Sequence, residues 1–319
     1  MVFSQQFLTT EARRHRGRTE KIWENMKNFA VVAGLLFLLA PKVIFAQATV
    51  TITTEPNAIV WIDEIRRGTT DASGEIVLKK LSPGRHSVRV RASGFKETTA
   101  TLLPGRRTLA VKLVPTTDEA ELLFQKAEVA REKARNETAL KQAADLYREA
   151  IKLQPAFPAA RVGLARVLMD LNEFGEAHAQ IDAARQTKPS YAEASAVEGR
   201  IYREEAFEED AIRSFRRAIA EARGVQPEAH VGLAKVYEDK GQFAQAIVEY
   251  RKAIAQLSDS EPVIYQMLGA AYERAEKPKE AVEAYEKYLQ LAPAGGFAAA
   301  IRSILDQLKR EAAGEQIIP

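Results

Sequence analysis

The chain shows three successive patterns of hydrophobic and polar positions. Residues 29–40 form an uninterrupted apolar run. From residue 48 to 115 apolar and polar residues alternate, as at Val50 and Ile52 among threonines, which predicts β-strands. After Pro115 the apolar residues recur at helical spacing. We therefore expect a multidomain chain, with a leader at 1–48, a small β domain at 49–115 and a helical region beyond it.

The leader has the features of a secretory signal peptide. Lys27 precedes the apolar run, and Ala46 and Ala48 have the spacing that a signal peptidase reads. Met26 is then a natural start, which leaves residues 1–25 outside the translated protein. In the alternative interpretation residues 29–46 are an uncleaved inner-membrane anchor, although Lys42 counts against a membrane span. The first interpretation predicts an exported protein, either periplasmic or in the cell envelope or extracellular space.

Short alternating strands separated by Pro and Gly turns predict a small all-β antiparallel sandwich at 49–115. This segment resembles a PEGA domain, although the usual Pro-Glu-Gly-Ala is shortened here. The resemblance rests on Glu55-Pro-Asn-Ala-Ile-Val-Trp-Ile-Asp63, Gly68-Thr69, Leu81-Ser-Pro-Gly-Arg-His-Ser-Val88 and Gly94-Phe95. It implies an extracytoplasmic module without established catalysis.

Trp61 and the strand arginines allow two interpretations. They form a recognition surface for glycan or peptide, since exposed aromatic residues are common in binding sites. Alternatively, Trp61 packs at the edge of a thin core while the arginines keep the strand faces soluble. We favour the second, because a small domain needs its large side chains for packing.

The helical region is self-similar with a period of 34 or 35 residues. One column holds alanine, the next a large side chain four residues later, and a third a small residue twelve positions before the alanine. The three columns are Ala143, Ala177, Ala211, Ala246 and Ala281; Tyr147, Ile181, Phe215, Tyr250 and Tyr285; and Ala165, Gly199, Ala234 and Gly269. This register resembles the tetratricopeptide repeat, which implies an all-α solenoid of antiparallel helix pairs.

We expect five such units over 116–295, a capping helix at 296–310 and a tail at 311–319. Arg131 stands in the small-residue column of the first unit, so we expect its first helix to pack differently, facing the β domain. The two modules have different periods and should bury separate cores, each able to fold alone.

Composition excludes several classes of function. The chain has no cysteine, and its four histidines are scattered, so it offers no thiol chemistry and no recognisable metal site. The net charge is +3 over 319 residues, which gives no support for nucleic-acid binding. No phosphate-binding, nucleophile or metalloprotease motif is present, and we assign no catalytic residue and no cofactor. We expect a protein that is not an enzyme.

A binding site is predicted from the repeat register. The resemblance implies that Arg166, Arg200 and Lys235 point into the groove formed by the first helices of the repeats. Three cations in one column favour a protein or peptide ligand with acidic groups. In the other interpretation each cation is neutralised by the acid four residues later, namely Asp170, Glu204 and Asp239.

The sequence therefore predicts an interaction scaffold of the cell envelope or periplasm, with a peptide or protein segment bound in the groove. The alternative is a cell-wall or surface module in which the β domain binds glycan and the repeats act as a spacer. In either case the chain contacts a membrane only through the leader, if that is uncleaved.

Overall fold

The computed structural model describes residues 48–63, 65–81, 84–257 and 260–313. The predictions for the leader, including Met26 as the start, cleavage near Ala48 and the membrane anchor, concern residues outside this part. So does most of the predicted tail. Within the described residues, no helix combines the length and the apolar character that a bilayer span requires.

The N-terminal region is rich in strands, as the period-two pattern predicts. Nine strands are described: β1 (Ala48–Thr53), β2 (Ile59–Ile62), β3 (Ile65–Thr69), β4 (Glu75–Leu81), β5 (His86–Arg91), β6 (Phe95–Lys96), β7 (Thr98–Leu102), β8 (Thr108–Ala110) and β9 (Val114–Pro115). They form a sheet of order β4-β1-β8, a second sheet of order β3-β2-β5-β7 and a small β6-β9 pair.

Inward-facing residues of the two larger sheets share one apolar core. Val50 and Ile52 of β1 lie in the same buried cluster as Val60 of β2 and Val88 of β5. The expectation of purely antiparallel strands is wrong at one place, because β1 pairs with β8 in parallel. Alternation in the sequence indicates a strand and its buried face, but not the direction of its neighbour.

The helical region begins at Glu119, directly after the last strand. The described helices are α1 (Glu119–Lys133), α2 (Glu137–Leu153), α3 (Pro158–Asp170), α4 (Phe174–Thr187), α5 (Ala192–Glu204), α6 (Glu208–Glu221), α7 (Pro227–Asp239), α8 (Phe243–Leu257), α9 (Val263–Arg274), α10 (Pro278–Leu291) and α11 (Ala298–Ala313). Consecutive helices pack as five pairs, from α1 with α2 to α9 with α10, and α11 packs on α10. The first helices of the first four repeats also contact one another in order. The first helices of all five repeats line one cavity, and we call this side of the array its inner face.

Aromatic side chains fill the gaps that glycines leave between helices. Phe215 of α6 is fully buried against Gly199 of α5 and Gly232 of α7, and a Cβ atom at either glycine would overlap its ring. Tyr147 against Gly163 and Tyr285 against Gly269 repeat this arrangement. Gly199 and Gly269 belong to the predicted small-residue column, whereas Gly163 and Gly232 lie two positions before its Ala165 and Ala234, so the prediction marked only part of the close approach.

The turn inside each of the last four repeats has a residue with left-handed backbone conformation at the same position. It is Asn172, Ala206, Gly241 or Glu276, with φ between 56° and 70°. In each turn the following N–H donates to a carbonyl five residues back, as from Phe207 to Tyr202 at 2.8 Å. This is the Schellman arrangement, which satisfies the last carbonyls of a helix.

The final helix covers the apolar end of the last pair. Ile301, Leu305 and Leu308 of α11 are buried with Tyr285 and Tyr288 of α10. The helix continues to Ala313, so residues 311–313 are helical rather than part of the tail predicted from position 311.

Candidate functional site

The strand-rich region packs against the inner face of the helical array. Ile65 of β3 is 5% exposed and belongs to the apolar cluster of α5 to α10, together with Leu257 and Ile264. Arg67, two residues along the same strand, donates to the carbonyls of Leu257 and Gln256 at the end of α8, at 3.0 and 3.2 Å. Burial lowers the pKa of Arg67, and Asp63 acts in the opposite direction.

A second contact joins the strand-rich region to the first repeat. The Gln125 side chain of α1 accepts from the Gly94 N–H and donates to the Phe95 carbonyl, both at 2.9 Å. Arg66 pairs with Glu132 at 2.9 Å on the exposed side of β3. These contacts agree with the expectation that the first helix faces the β domain. The strands consequently bridge the inner face from the first repeat to the fourth.

Trp61 lies between these contacts, on the face of β2 opposite the β core. The Arg89 guanidinium lies 4.2 Å from the centre of its ring and that of Arg91 at 5.3 Å. Arg91 also lies over Phe124 of α1 and pairs with Glu97 at 2.8 Å. Neither interpretation from the sequence described this position, since Trp61 and the arginines face the helices.

A cavity of about 1590 Å³ lies between the strand face and the inner face. Trp61, Arg89 and Arg91 line one wall, and α1, α3, α5, α7 and α9 supply the other. The lining contains ten Lys or Arg and nine Asp or Glu residues, so its charges nearly balance. The three predicted cations, Arg166, Arg200 and Lys235, all belong to this lining.

Arg166 is committed to internal ion pairs. Its guanidinium lies 2.8 Å from Glu193 and 3.8 Å from Glu228, and its side chain is only 15% exposed. Desolvation acts to raise the pKa of Glu193, but the charges of Arg166 and Arg89, with hydrogen bonds from Tyr191 and Arg166, lower that pKa to about 2. Arg166 in turn has a raised pKa, because attraction by Glu193 and Glu228 outweighs the desolvation that lowers it.

Arg200 has an acidic partner, whereas Lys235 has none within the described part of the chain. Arg200 pairs with Glu228 at 3.4 Å, repeating the link from Arg166 to Glu193 one repeat further on. The position that would serve Lys235 is occupied by Val263, 28 residues beyond it as Glu228 is beyond Arg200. Lys235 forms no ion pair within the described part of the chain, and its pKa is lowered by burial and by the nearby charges of Arg203 and Arg200.

The acids expected to neutralise Arg166, Arg200 and Lys235 form no ion pairs with them within the described part of the chain. Asp239 accepts from Arg203 at 2.8 Å, and Glu204 also pairs with Arg203. Burial raises the pKa of Asp170. The ion pairs of Arg166 and Arg200 therefore run between repeats, to Glu193 and Glu228. Sequence reasoning missed Glu193 and Glu228, although their shared place at the start of α5 and α7 was a readable signal.

Among the described residues, no group of three or more His, Asp or Glu side chains is arranged to hold a metal ion. The site is a charged and partly aromatic cavity. Its chemistry suits binding of a chain segment through hydrogen bonds, ion pairs and apolar contacts.

Comparison with known families identifies the helical part. Residues 134–201 and 226–294 match two models of the tetratricopeptide repeat. The chain therefore contains tetratricopeptide repeats, as predicted. The matches lie outside residues 49–115, and the resemblance of that segment to a PEGA domain stays a prediction. No curated protein sequence matches the chain significantly.

Solved structures show the same helical fold. PilW, described as a widely conserved type IV pilus biogenesis factor, is 17% identical, with a TM-score of 0.52 over 63% of this chain and 88% of its own. PilF of Pseudomonas aeruginosa is 16% identical, with a TM-score of 0.51 over 62% of this chain and 89% of its own. A thermophilic tetratricopeptide-repeat protein of Thermus thermophilus reaches 0.49 at 19% identity, over 60% of this chain and 98% of its own. At these identities the likeness concerns the fold alone.

Proposed function

We propose that the protein is a non-enzymatic interaction scaffold that binds a peptide or protein segment in the cavity between the inner face and the strand-rich region. Tetratricopeptide repeats generally serve protein–protein interaction, and this chain contains them. The observation that carries the proposal is the cavity itself, with walls from both parts of the chain.

The size and lining of the cavity favour a chain segment over a small molecule. Pockets for small ligands usually measure roughly 300–1,000 Å³, and this cavity is larger. Its walls contain both charged side chains and apolar ones such as Val231, Val263 and Met267. A peptide presents both kinds of group along an extended backbone, so it can satisfy both kinds of wall.

Lys235 is the cation in this proposal that binds an acidic group of the ligand. Arg166 and Arg200 already hold Glu193 and Glu228, so a ligand carboxylate would have to displace those acids. Lys235 forms no ion pair within the described residues, although the charges of Glu238 and Glu204 act on it, and it lines the cavity together with the apolar Val263. A carboxylate next to an apolar side chain is the ligand chemistry that fits this corner.

We also propose that the protein is exported and that residues 49–115 form a PEGA-like sandwich. The apolar run at 29–40 and the small residues Ala46 and Ala48 support export. The shared core of the two larger sheets supports the sandwich. N-terminal sequencing of the protein from its host should find a mature chain beginning near Thr49. A membrane-bound chain that retains residues 29–40 would contradict cleavage.

Photo-crosslinking tests the cavity as the binding site. Lys188 is exposed and lines the cavity, whereas Lys152 is exposed at the end of α2 and does not belong to the lining. A photo-reactive amino acid replaces one or the other, and the chain is irradiated in its own envelope fraction. We expect a defined protein partner crosslinked from position 188 and not from position 152. Equal labelling from both positions, or labelling from 152 alone, would overturn the proposal.

A further inference from the structure

Strand β3 meets the helical array much as a bound peptide would. It is an edge strand, paired only with β2 in its sheet. Arg67 is the unpaired residue of a β-bulge against β2, and Ile65 and Arg67 both contact the helices around the end of α8. Arg66, between them, points the other way to Glu132. The array thus binds an extended segment through two side chains, an apolar residue and a cation two positions after it.

The receiving surface is matched to this pattern. The last carbonyls of a helix carry partial negative charge and have no partner within the helix, so a guanidinium satisfies them well. Arg67 uses two of these carbonyls, at Gln256 and Leu257. The side chain of Leu257 also belongs to the apolar cluster that contains Ile65. Apolar and polar recognition therefore lie side by side at one helix end.

We propose that β3 is a built-in occupant of a peptide-binding site at the end of α8, and that the partner competes with it through an extended segment of the pattern apolar-x-Arg. The inference rests on the proposed function, since it names the chemistry of the segment that binds at this end of the cavity. The partner displaces β3 from α8 while the strand-rich region stays attached at the first repeat.

The attachment of the strand-rich region is uneven, which makes such displacement feasible. At the first repeat, the chain passes from Pro115 to Glu119 within a few residues, and Gln125 holds two backbone groups. At the fourth repeat the contact at α8 depends on Ile65 and Arg67. The contact at α8 is therefore the one that can open while the contacts at α1 hold.

The contact at α8 is also incompletely satisfied. Arg67 Nε and Gln256 Oε1 are buried and have no hydrogen-bond partner within the described part of the chain. Buried polar atoms without partners disfavour the state that contains them. The closed arrangement is therefore less stable than its apolar burial alone would make it, and a partner that satisfies these atoms gains an advantage over β3.

Binding of a defined peptide to the purified full chain tests the inference. The probe is a fluorescently labelled, acetylated and amidated peptide with the sequence of residues 65–69, measured by fluorescence anisotropy. In the wild-type chain the tethered β3 acts at an effective concentration of about millimolar and blocks the site. Arg67→Ala weakens the tethered copy, so we expect this variant to bind the peptide at least about ten-fold more tightly than the wild-type chain does.

Matched controls separate competition from loss of structure. Arg66→Ala removes the neighbouring cation, which faces Glu132, and should leave peptide binding at the wild-type level. Ile65→Ala weakens the tethered copy by a different route and should also increase binding. A peptide carrying Ala in place of Arg67 should bind the opened chain at least about ten-fold more weakly. Circular dichroism establishes that each variant keeps its helices.

The inference is overturned if both opened variants bind the peptide no better than Arg66→Ala does, or if the peptide lacking Arg67 binds equally well. Such a result would leave the scaffold function standing, because that function is judged by crosslinking at position 188. Conversely, failure of the crosslinking experiment together with tight peptide binding would locate the site at α8 and reject the wider cavity as the place where partners bind.

Discussion

Gly232→Ala and Gly175→Ala are the same substitution in two helices, and we expect opposite effects. Gly232 lies in α7 against the ring of Phe215, where an added Cβ would overlap three ring carbons. The ring has no free space to move into, because it is fully buried and also lies against Gly199. Gly175 is the second residue of α4, with open space around the position of its Cβ.

The magnitudes follow from two opposing effects. Replacing Gly by Ala in a helix stabilises it by about 0.5–1 kcal/mol, whereas overpacking a close-packed core costs about 1–3 kcal/mol. Gly175→Ala should therefore raise the free energy of unfolding by roughly 0.5 kcal/mol, since its position near the helix start limits the gain. Gly232→Ala should lower it by about 1–2 kcal/mol once the helix gain has been subtracted from the overpacking cost.

Urea denaturation followed by far-ultraviolet circular dichroism measures both changes in one protein. The midpoint should shift down for Gly232→Ala and up for Gly175→Ala, with similar slopes for the two variants. If Gly232→Ala is as stable as the wild-type protein, the close approach of α6 and α7 at Phe215 is wrong. If both variants are destabilised alike, the effect belongs to the loss of glycine and has no steric cause.

Three further predictions concern the turns, the strand contact and the buried acid. Ala206→Gly should raise the thermal midpoint, since left-handed alanine costs about 1–2 kcal/mol, and Gly241→Ala should lower it; shifts of the same sign would refute this. In urea denaturation, Arg67→Ala should lower the free energy of unfolding by about 1–3 kcal/mol, and Arg66→Ala should lower it by at most about 1 kcal/mol. Equal losses in the two variants would contradict the contact at α8. The pKa of Glu193 falls from 4.5 to about 2 in the folded chain, so its carboxylate stabilises the fold above pH 4.5, and this stabilisation is lost as the pH falls towards 2. The thermal midpoints of the wild-type protein and Glu193→Gln should therefore converge between pH 4.5 and 2. A constant difference between the two midpoints would refute this prediction.

The repeat register was readable because it is a steric requirement. A helix pair with a fixed crossing needs a small residue at the crossing and a large one beside it, so Gly199 and Phe215 recur as a pattern. The strands were readable for the same reason, since alternation reports which face is buried. The parallel pairing of β1 with β8 was not, because the pattern inside one strand carries no information about its neighbour.

The partners of the predicted cations were harder to anticipate. An i,i+4 acid is the nearest acid along a helix, so Asp170 was the expected partner of Arg166. In a solenoid the first helices also lie against one another, and an acid one repeat away, here Glu193, competes for the same cation. Glu228 and Val263 occupy matching positions in successive repeats, so Arg200 has an acidic partner there and Lys235 does not. This difference can be recognised in the sequence only once the pairing between repeats is known.

Contact of the strand-rich region with the inner face changes how the array should respond to strain. In an ordinary solenoid each repeat touches only its neighbours, so stability is a sum of local terms. Here Arg66 holds α1 through Glu132 and Arg67 holds the end of α8, so one strand connects the first repeat to the fourth. While β3 is docked, these contacts limit the separation of those repeats, and with it the width of the cavity. The two parts have their own cores, so independent folding stays a prediction, but Ile65 lies in the helical core and not in the β core. A helical array lacking β3 should therefore keep its helix pairs while the distance between α1 and α8 becomes variable.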